Sequence, residues 1–134
     1  NLVAGPFNWQ LNAEHLRQAY IHQEITIGDV IPSQTQLLPN YPNPFNPETW
    51  IPFELQQASD VQLAIFDSNG NIIRQLDLGH QIAGRYLSKN RAAYWDGNNQ
   101  LGEQVSSGVY FYTFIADSEQ SKPISQTRKM VILK

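Results

Sequence analysis

Few residues of this 134-residue chain have the type and spacing to do chemistry. Asp96, Asn98 and Glu103 bring three side-chain oxygens close together, the donor class that calcium prefers. Their spacing lacks the acidic density and fixed order of an EF-hand loop, and turn formation explains them as well. Asp67, Asn69 and Asn71 alternate as EF-hand ligands do, but their glycine stands fourth instead of sixth, which suits a hairpin turn. His15, His22 and His80 are scattered and have no clustered acid or serine in sequence, so neither a triad nor a zinc site is expected. Cysteine is absent, which removes disulfides, thiolate metal sites and a cysteine nucleophile. If exposed, the rings of Trp50, Tyr86, Tyr94 and Tyr110 would form a flat platform for sugars; in a small sandwich the same rings are needed for the core. The residues therefore predict no enzyme and no cofactor.

The elements that would position these residues fall into three zones. Residues 11–23 are rich in helix formers, with Leu11, His15, Leu16, Ala19 and Tyr20 near one face. Asn8 or Asn12 can cap that helix, and the β-branched run around Ile25 ends it. A proline-punctuated segment follows, with prolines at 39, 42, 44, 47 and 52. Each fixes its own φ, removes an amide donor and biases the preceding residue away from helix, so the segment must be extended or turning. Leu37, Leu38, Tyr41, Phe45, Trp50 and Ile51 give it apolar anchors that a disordered linker lacks.

From residue 49 onward the pattern has a period of two. Thr49, Ile51, Phe53 and Leu55 predict one strand, and Val61, Leu63 and Ile65 another. Turn residues 67–71 and the resumed strand at Ile72, Ile73 and Leu76 predict a hairpin over residues 61–76. Short strands are predicted at 86–88 and 92–95. Residues 109–115, apolar or aromatic on both faces, read as a central strand, and 127–133 as a closing one. Six or seven short strands in about 90 residues predict an all-β, Ig-like antiparallel sandwich behind a short helical extension. The domain boundaries expected are 1–36 for the extension, or the end of an upstream module, and 37–134 for the sandwich.

Composition narrows the partners. The net charge is −3, and its distribution is polarised: residues 1–84 hold 2 bases and 8 acids, residues 85–134 hold 7 and 4. That is far from the basic stripe a nucleic-acid binder requires, so no nucleic acid is expected. No apolar run approaches the roughly 20 residues that cross a bilayer, so no transmembrane segment is expected. With Asn1 in the initiator position and no signal-peptide pattern, the chain reads as a fragment or a processed product.

Several ordered strings then carry a resemblance. They are Tyr41-Pro42-Asn43-Pro44-Phe45-Asn46-Pro47, the hairpin from Ile65 to Arg74, Trp95-Asp96-Gly97, Ser107-Gly108-Val109-Tyr110, and Arg128-Lys129-Met130-Val131-Ile132-Leu133-Lys134 at the end. Over residues 37–134 this series resembles the type A C-terminal sorting domain of type IX secretion cargo. It is more loosely similar to the Ig-like domain of flagellar hook-capping proteins, which shares the Trp-Asp-Gly and Ser-Gly-Val-Tyr elements. The first resemblance implies a non-catalytic address that directs export and cell-surface attachment of a larger secreted protein. Its implied partners are outer-membrane secretion machinery, a sortase-like protease and upstream cargo domains, and its implied location is the cell surface or extracellular space, reached through the periplasm. It also makes 41–47 and 128–134 the sorting motif. An Ig-like surface adhesion or carbohydrate-binding module is the alternative.

The same strings have a structural reading. Phe45 and Tyr41 anchor an extended segment whose prolines deny donors to neighbouring chains. Trp95 fills the core, Asp96 caps the next turn, and Gly97 adopts a conformation closed to other residues.

Overall fold

The computed structural model describes residues 31–134. The chain divides into two compact units, Asn1–Ile31 and Pro32–Lys134, and the second is the one described below. The helix expected at residues 11–23 lies outside the described residues.

Among the described residues, nine strands follow one another: β1 (Gln36–Leu37), β2 (Thr49–Ile51), β3 (Phe53–Leu55), β4 (Ser59–Asp67), β5 (Ile72–Gln81), β6 (Gly84–Tyr86), β7 (Ala93–Trp95), β8 (Gly108–Asp117) and β9 (Ile124–Ile132). A four-stranded antiparallel sheet has the order β5-β4-β8-β9, and its partner layer is divided into β1-β3-β6 and β2-β7. This is an all-β, Ig-like sandwich.

Period-two burial is what makes the two layers stick. Val61, Leu63 and Ile65 of β4 lie beside Tyr110, Tyr112 and Phe114 of β8 and Met130 and Ile132 of β9, in one buried cluster with Ile51, Phe53, Leu55 and Trp95 of the opposite layer. Phe53 joins the layers directly: its ring stacks on Tyr86 at 4.7 Å and lies 5.3 Å from Phe114.

The expected single strand at 49–55 is two strands in two sheets. Thr49, Ile51, Phe53 and Leu55 all remain buried, so the inward alternation is continuous, but the ladder changes partner at Pro52. Proline has no N–H to give to a ladder, and its carbonyl instead accepts from Leu38 N–H at 3.0 Å. The hairpin is longer than the residues suggested, because two bulges, at Ile73 and Leu78, keep β5 paired with β4 as far as Gln81.

Asp67 builds the hairpin turn. One carboxylate oxygen accepts from Asn69 N–H and Asn71 N–H, each at 2.9 Å, and these bonds, led by that from Asn71, lower the pKa of Asp67 below its ordinary 3.8. A depressed folded-state pKa gives stability that is present above the unfolded value and lost as pH falls through the folded one. Asp67→Asn is therefore expected to lower the urea midpoint more at pH 7 than at acid pH, where the carboxyl is protonated in both folded and unfolded chains. An equal difference at both pH values would remove the charge from the explanation.

Candidate functional site

The two segments singled out at the ends of the domain meet. Phe45 N–H donates to Val131 O at 3.0 Å, Leu133 N–H donates to Phe45 O at 3.1 Å, and Phe45 pairs with Ile132 as a parallel bridge. Asn43 adds its side-chain oxygen, which accepts from Val131 N–H at 3.0 Å. The outer edge of β9 is thereby closed by the proline segment, while Phe45 inserts into the core edge-on to Trp95 at 5.7 Å. Tyr41 is half-buried, and its hydroxyl donates to Leu87 O. Pro42, Pro44, Asn46 and Pro47 are exposed. On β9, Arg128 donates from Nε to Leu37 O at 3.0 Å, Met130 and Ile132 are buried, and Val131 is half-buried. Lys129, Leu133 and Lys134 are exposed, and the Lys134 N–H donates to Ser107 Oγ at 3.0 Å.

A polar hub fastens the same segment from beneath. Asn40 Nδ2 donates to Thr49 Oγ1 at 3.0 Å, Tyr112 Oη accepts from Asn40 N–H at 2.9 Å, and Tyr112 Oη donates to Leu38 O at 3.0 Å. Tyr112 is fully buried, and desolvation raises its pKa above the usual 10. Sequence reading missed both Asn40 and the hydroxyl of Tyr112, because their bonds span 72 and 74 positions. Tyr112→Phe is expected to cost about 1–3 kcal/mol by leaving a buried N–H unpaired. The neutral phenol is the form the fold favours, so wild-type stability falls as pH rises past 10, where the unfolded tyrosine ionises; the Phe variant should lack that part of the alkaline loss. Denaturant midpoints at pH 7 and pH 11 measure both effects.

The Trp95-Asp96-Gly97 string packs as expected and recruits a residue that sequence reading overlooked. Trp95 is fully buried, 6.1 Å from Tyr110 and edge-on to it, and its Nε1–H donates to Asn98 O at 2.9 Å. Asp96 Oδ1 accepts from Asn98 N–H at 3.0 Å and from Arg74 at 3.1 Å, and the same guanidinium donates to Asn98 O. Gln100 then docks on the edge of β5, its N–H donating to Ile73 O and its Oε1 accepting from Gln75 N–H. The loop thus covers ladder groups of Ile73 and Gln75 at the start of an edge strand that would otherwise expose them. Ser107 leads into β8, Gly108 and Val109 begin it, and Tyr110 Oη donates to Ser106 O at 2.8 Å.

The residues weighed for metal and sugar chemistry do not assemble. Asp96 faces the Arg74 cation of β5, and Glu103 accepts from Asn99 Nδ2 at 2.9 Å, so both carboxylates considered for calcium are engaged by protein groups. Among the described residues, no group of three or more His, Cys, Asp or Glu side chains is placed to hold a metal ion. His80 lies 2.9 Å from Asp60; His15 and His22 fall outside the described residues. The sugar platform is corrected by burial. Trp95, Tyr86 and Tyr110 are in the core, and Trp50 is half-buried beneath Lys89 at 4.3 Å. Its ring is tilted 24° from Tyr41 and 49° from Tyr94, so no flat exposed surface forms.

A family model described as the FlgD Ig-like domain matches residues 48–121. The curated protein named Basal-body rod modification protein FlgD, from Escherichia coli (strain K12), is 28% identical over 137 residues, covering 99% of this chain and 56% of its own length. The chain therefore spans about half the length of that relative. Among solved structures, dimeric latent PorU from Porphyromonas gingivalis is similar with a TM-score of 0.59 at 16% identity, over 74% of this chain and 9% of PorU. FlgD from P. aeruginosa is similar with a TM-score of 0.52 at 17% identity, over 76% of this chain and 71% of that one. At such identities the two structures speak to the fold alone.

These findings correct the sorting-domain expectation. The family model that matches is the FlgD Ig-like domain, the looser of the two similarities read from the sequence. With the sorting function go its implied partners, the outer-membrane secretion machinery and sortase-like protease, and its implied cell-surface or extracellular location. The adhesion or carbohydrate-binding alternative is overturned as well. The physical reason is that Trp95-Asp96-Gly97, Ser107-Gly108-Val109-Tyr110 and the Phe45–Ile132 seam hold an Ig-like sandwich together, and residues that serve an architecture do not distinguish the families that share it.

Proposed function

The chain belongs to the FlgD Ig-like domain family, and on that premise we propose that it is a non-catalytic structural domain of a flagellar assembly protein, acting as a scaffold in modification of the basal-body rod. The observation that carries the reading is the similarity, over 99% of the chain and so beyond the Ig-like core itself, to the Escherichia coli rod modification protein. Support also comes from how the polar side chains are used: Asp96, Glu103, Asn40 and Arg128 are spent on holding loops and edges. The domain takes in β1 from Gln36 and the residues before it back to Pro32, a few positions ahead of the 36/37 boundary expected from sequence, and segments 41–47 and 128–134 serve as its structural clasp.

The test replaces the matching part of FlgD in Escherichia coli with this chain. Rods and hooks seen by electron microscopy, with swimming restored in soft agar, are the expected result. A chimera that accumulates to the wild-type level while no hook assembles would count against the proposal.

A further inference from the structure

The outward face of the four-stranded sheet is divided into an apolar end and an acidic end. Register places Ile72, Phe66 and Phe111 directly opposite one another in a single row across β5, β4 and β8. Ile72 is 54% exposed, and Val109 and Ile115 on the same face of β8 are also exposed. About 20 Å further along the strands, by the usual rise per residue, His80, Asp60 and Asp117 form the last row, with Asp77 near it. Glu119 lines the same depression as Asp60 and Asp117. Two carboxylates directly opposite each other are destabilising in isolation, and His80 answers one of them, at 2.9 Å from Asp60. The outward positions of β4, β5 and β8 hold no lysine or arginine; Lys129, on β9, closes the apolar row at the opposite corner. Between the two ends lies a hollow of about 370 Å³ lined by Phe66 and Ile72 from the apolar row and by Ile115 and Asp77, which share a row nearer the acidic end. That size is at the lower limit of ligand-holding clefts.

We infer that this face docks an amphipathic segment of a partner protein, one that carries bulky apolar side chains followed by a lysine- or arginine-bearing end. The apolar side chains enter the hollow and cover Ile72 and Phe66. The basic end lies over Asp77, Asp60 and Asp117, where charge complementarity fixes its direction along the strands. The inference goes beyond the flagellar reading and stands on the face itself, so failure of the chimera leaves it untouched.

The probe is a fluorescein-labelled 15-residue helical peptide with Leu and Phe at i, i+3, i+4 and i+7 and three lysines at one end; its counterpart carries glutamates instead. With the full chain, anisotropy titration is expected to show saturable binding of the lysine peptide, at least about tenfold tighter than the glutamate peptide and weakened by added salt. Asp77→Asn with Asp117→Asn should weaken it about tenfold by removing two facing charges, and Ile72→Ser should weaken it without changing the salt dependence. Because both substitutions lie on an exposed face, a second measurement guards against altered folding: amide shifts in the unmodified chain should cluster on Phe66, Ile72, Asp77 and Ile115. Shifts clustered around Trp50 and Tyr94, equal affinity for both peptides, absence of binding, or light scattering that gives a dimer closed by this face would each overturn the inference.

Discussion

Gly97→Ala is expected to destabilise the domain by about 3 kcal/mol or more, combining positive-φ strain with forced overpacking. Gly97 has φ +82°, and a Cβ built there would stand 2.3 Å from the carbonyl oxygen of Pro47. No rotamer relieves that contact, because both partners are backbone. Either the loop after β7 or the end of the proline segment must shift, and each is pinned: Gly97 O accepts from Val105 N–H at 3.1 Å, while Phe45 is tied to β9 on both sides. Gly70 is the control. Its φ of +87° is nearly the same, but nothing lies within 4 Å of its Cβ position, so Gly70→Ala should cost only the strain, about 1–2 kcal/mol. Urea midpoints of the two variants compare them directly. Equal losses would mean that the 47–97 approach yields freely and is no clamp.

That comparison also marks what could be read from the residues alone. The period-two run at 61–65 identified an inward face because a half-buried strand displays its core positions at every second residue, and the run at 109–115, apolar on both faces, marked the strand that lies between β4 and β9. The strand exchange at Pro52 was hidden, since Thr49, Ile51, Phe53 and Leu55 keep their alternation while their ladder partners change. Gly97 was legible as a special conformation, but its neighbour Pro47 was not, because fifty positions separate them. Arg74 was overlooked for a related reason. It stands in a strand where a cation suggests solvent, and only the bulge at Ile73 and the return of the 96–104 loop bring Asp96 to it. The outward face of β4, β5 and β8 was illegible as a surface, because its acidic and apolar rows are assembled from three strands. Function was less legible still. The strings at 41–47, 95–97 and 107–110 are those the sandwich needs, and a chain that resembles a family through such strings resembles its architecture first.

Phe45→Ala shows whether the proline segment is a clasp. Phe45 is 2% exposed, and its ring meets Trp95 edge-on, so truncation removes a large core side chain and is expected to cost about 3–5 kcal/mol. The loss should exceed its own cavity in reach. Phe45 carries the backbone bonds to Val131 and Leu133, so a segment that lifts away also leaves the terminal edge of β9 unpaired. Hydrogen exchange should therefore accelerate at Leu133 N–H, and at Val131 N–H if the Asn43 bond is lost with it. Asn46→Ala, in the same string but exposed, should leave both stability and exchange within about 0.5 kcal/mol of wild type, as is usual for surface changes. If the two variants behaved alike, the segment would not be held by its aromatic anchor. If instead Phe45→Ala lowered the midpoint while Leu133 N–H remained protected, the backbone at position 45 would stay bonded to β9 without its ring, and the clasp would reside in the backbone bonds alone.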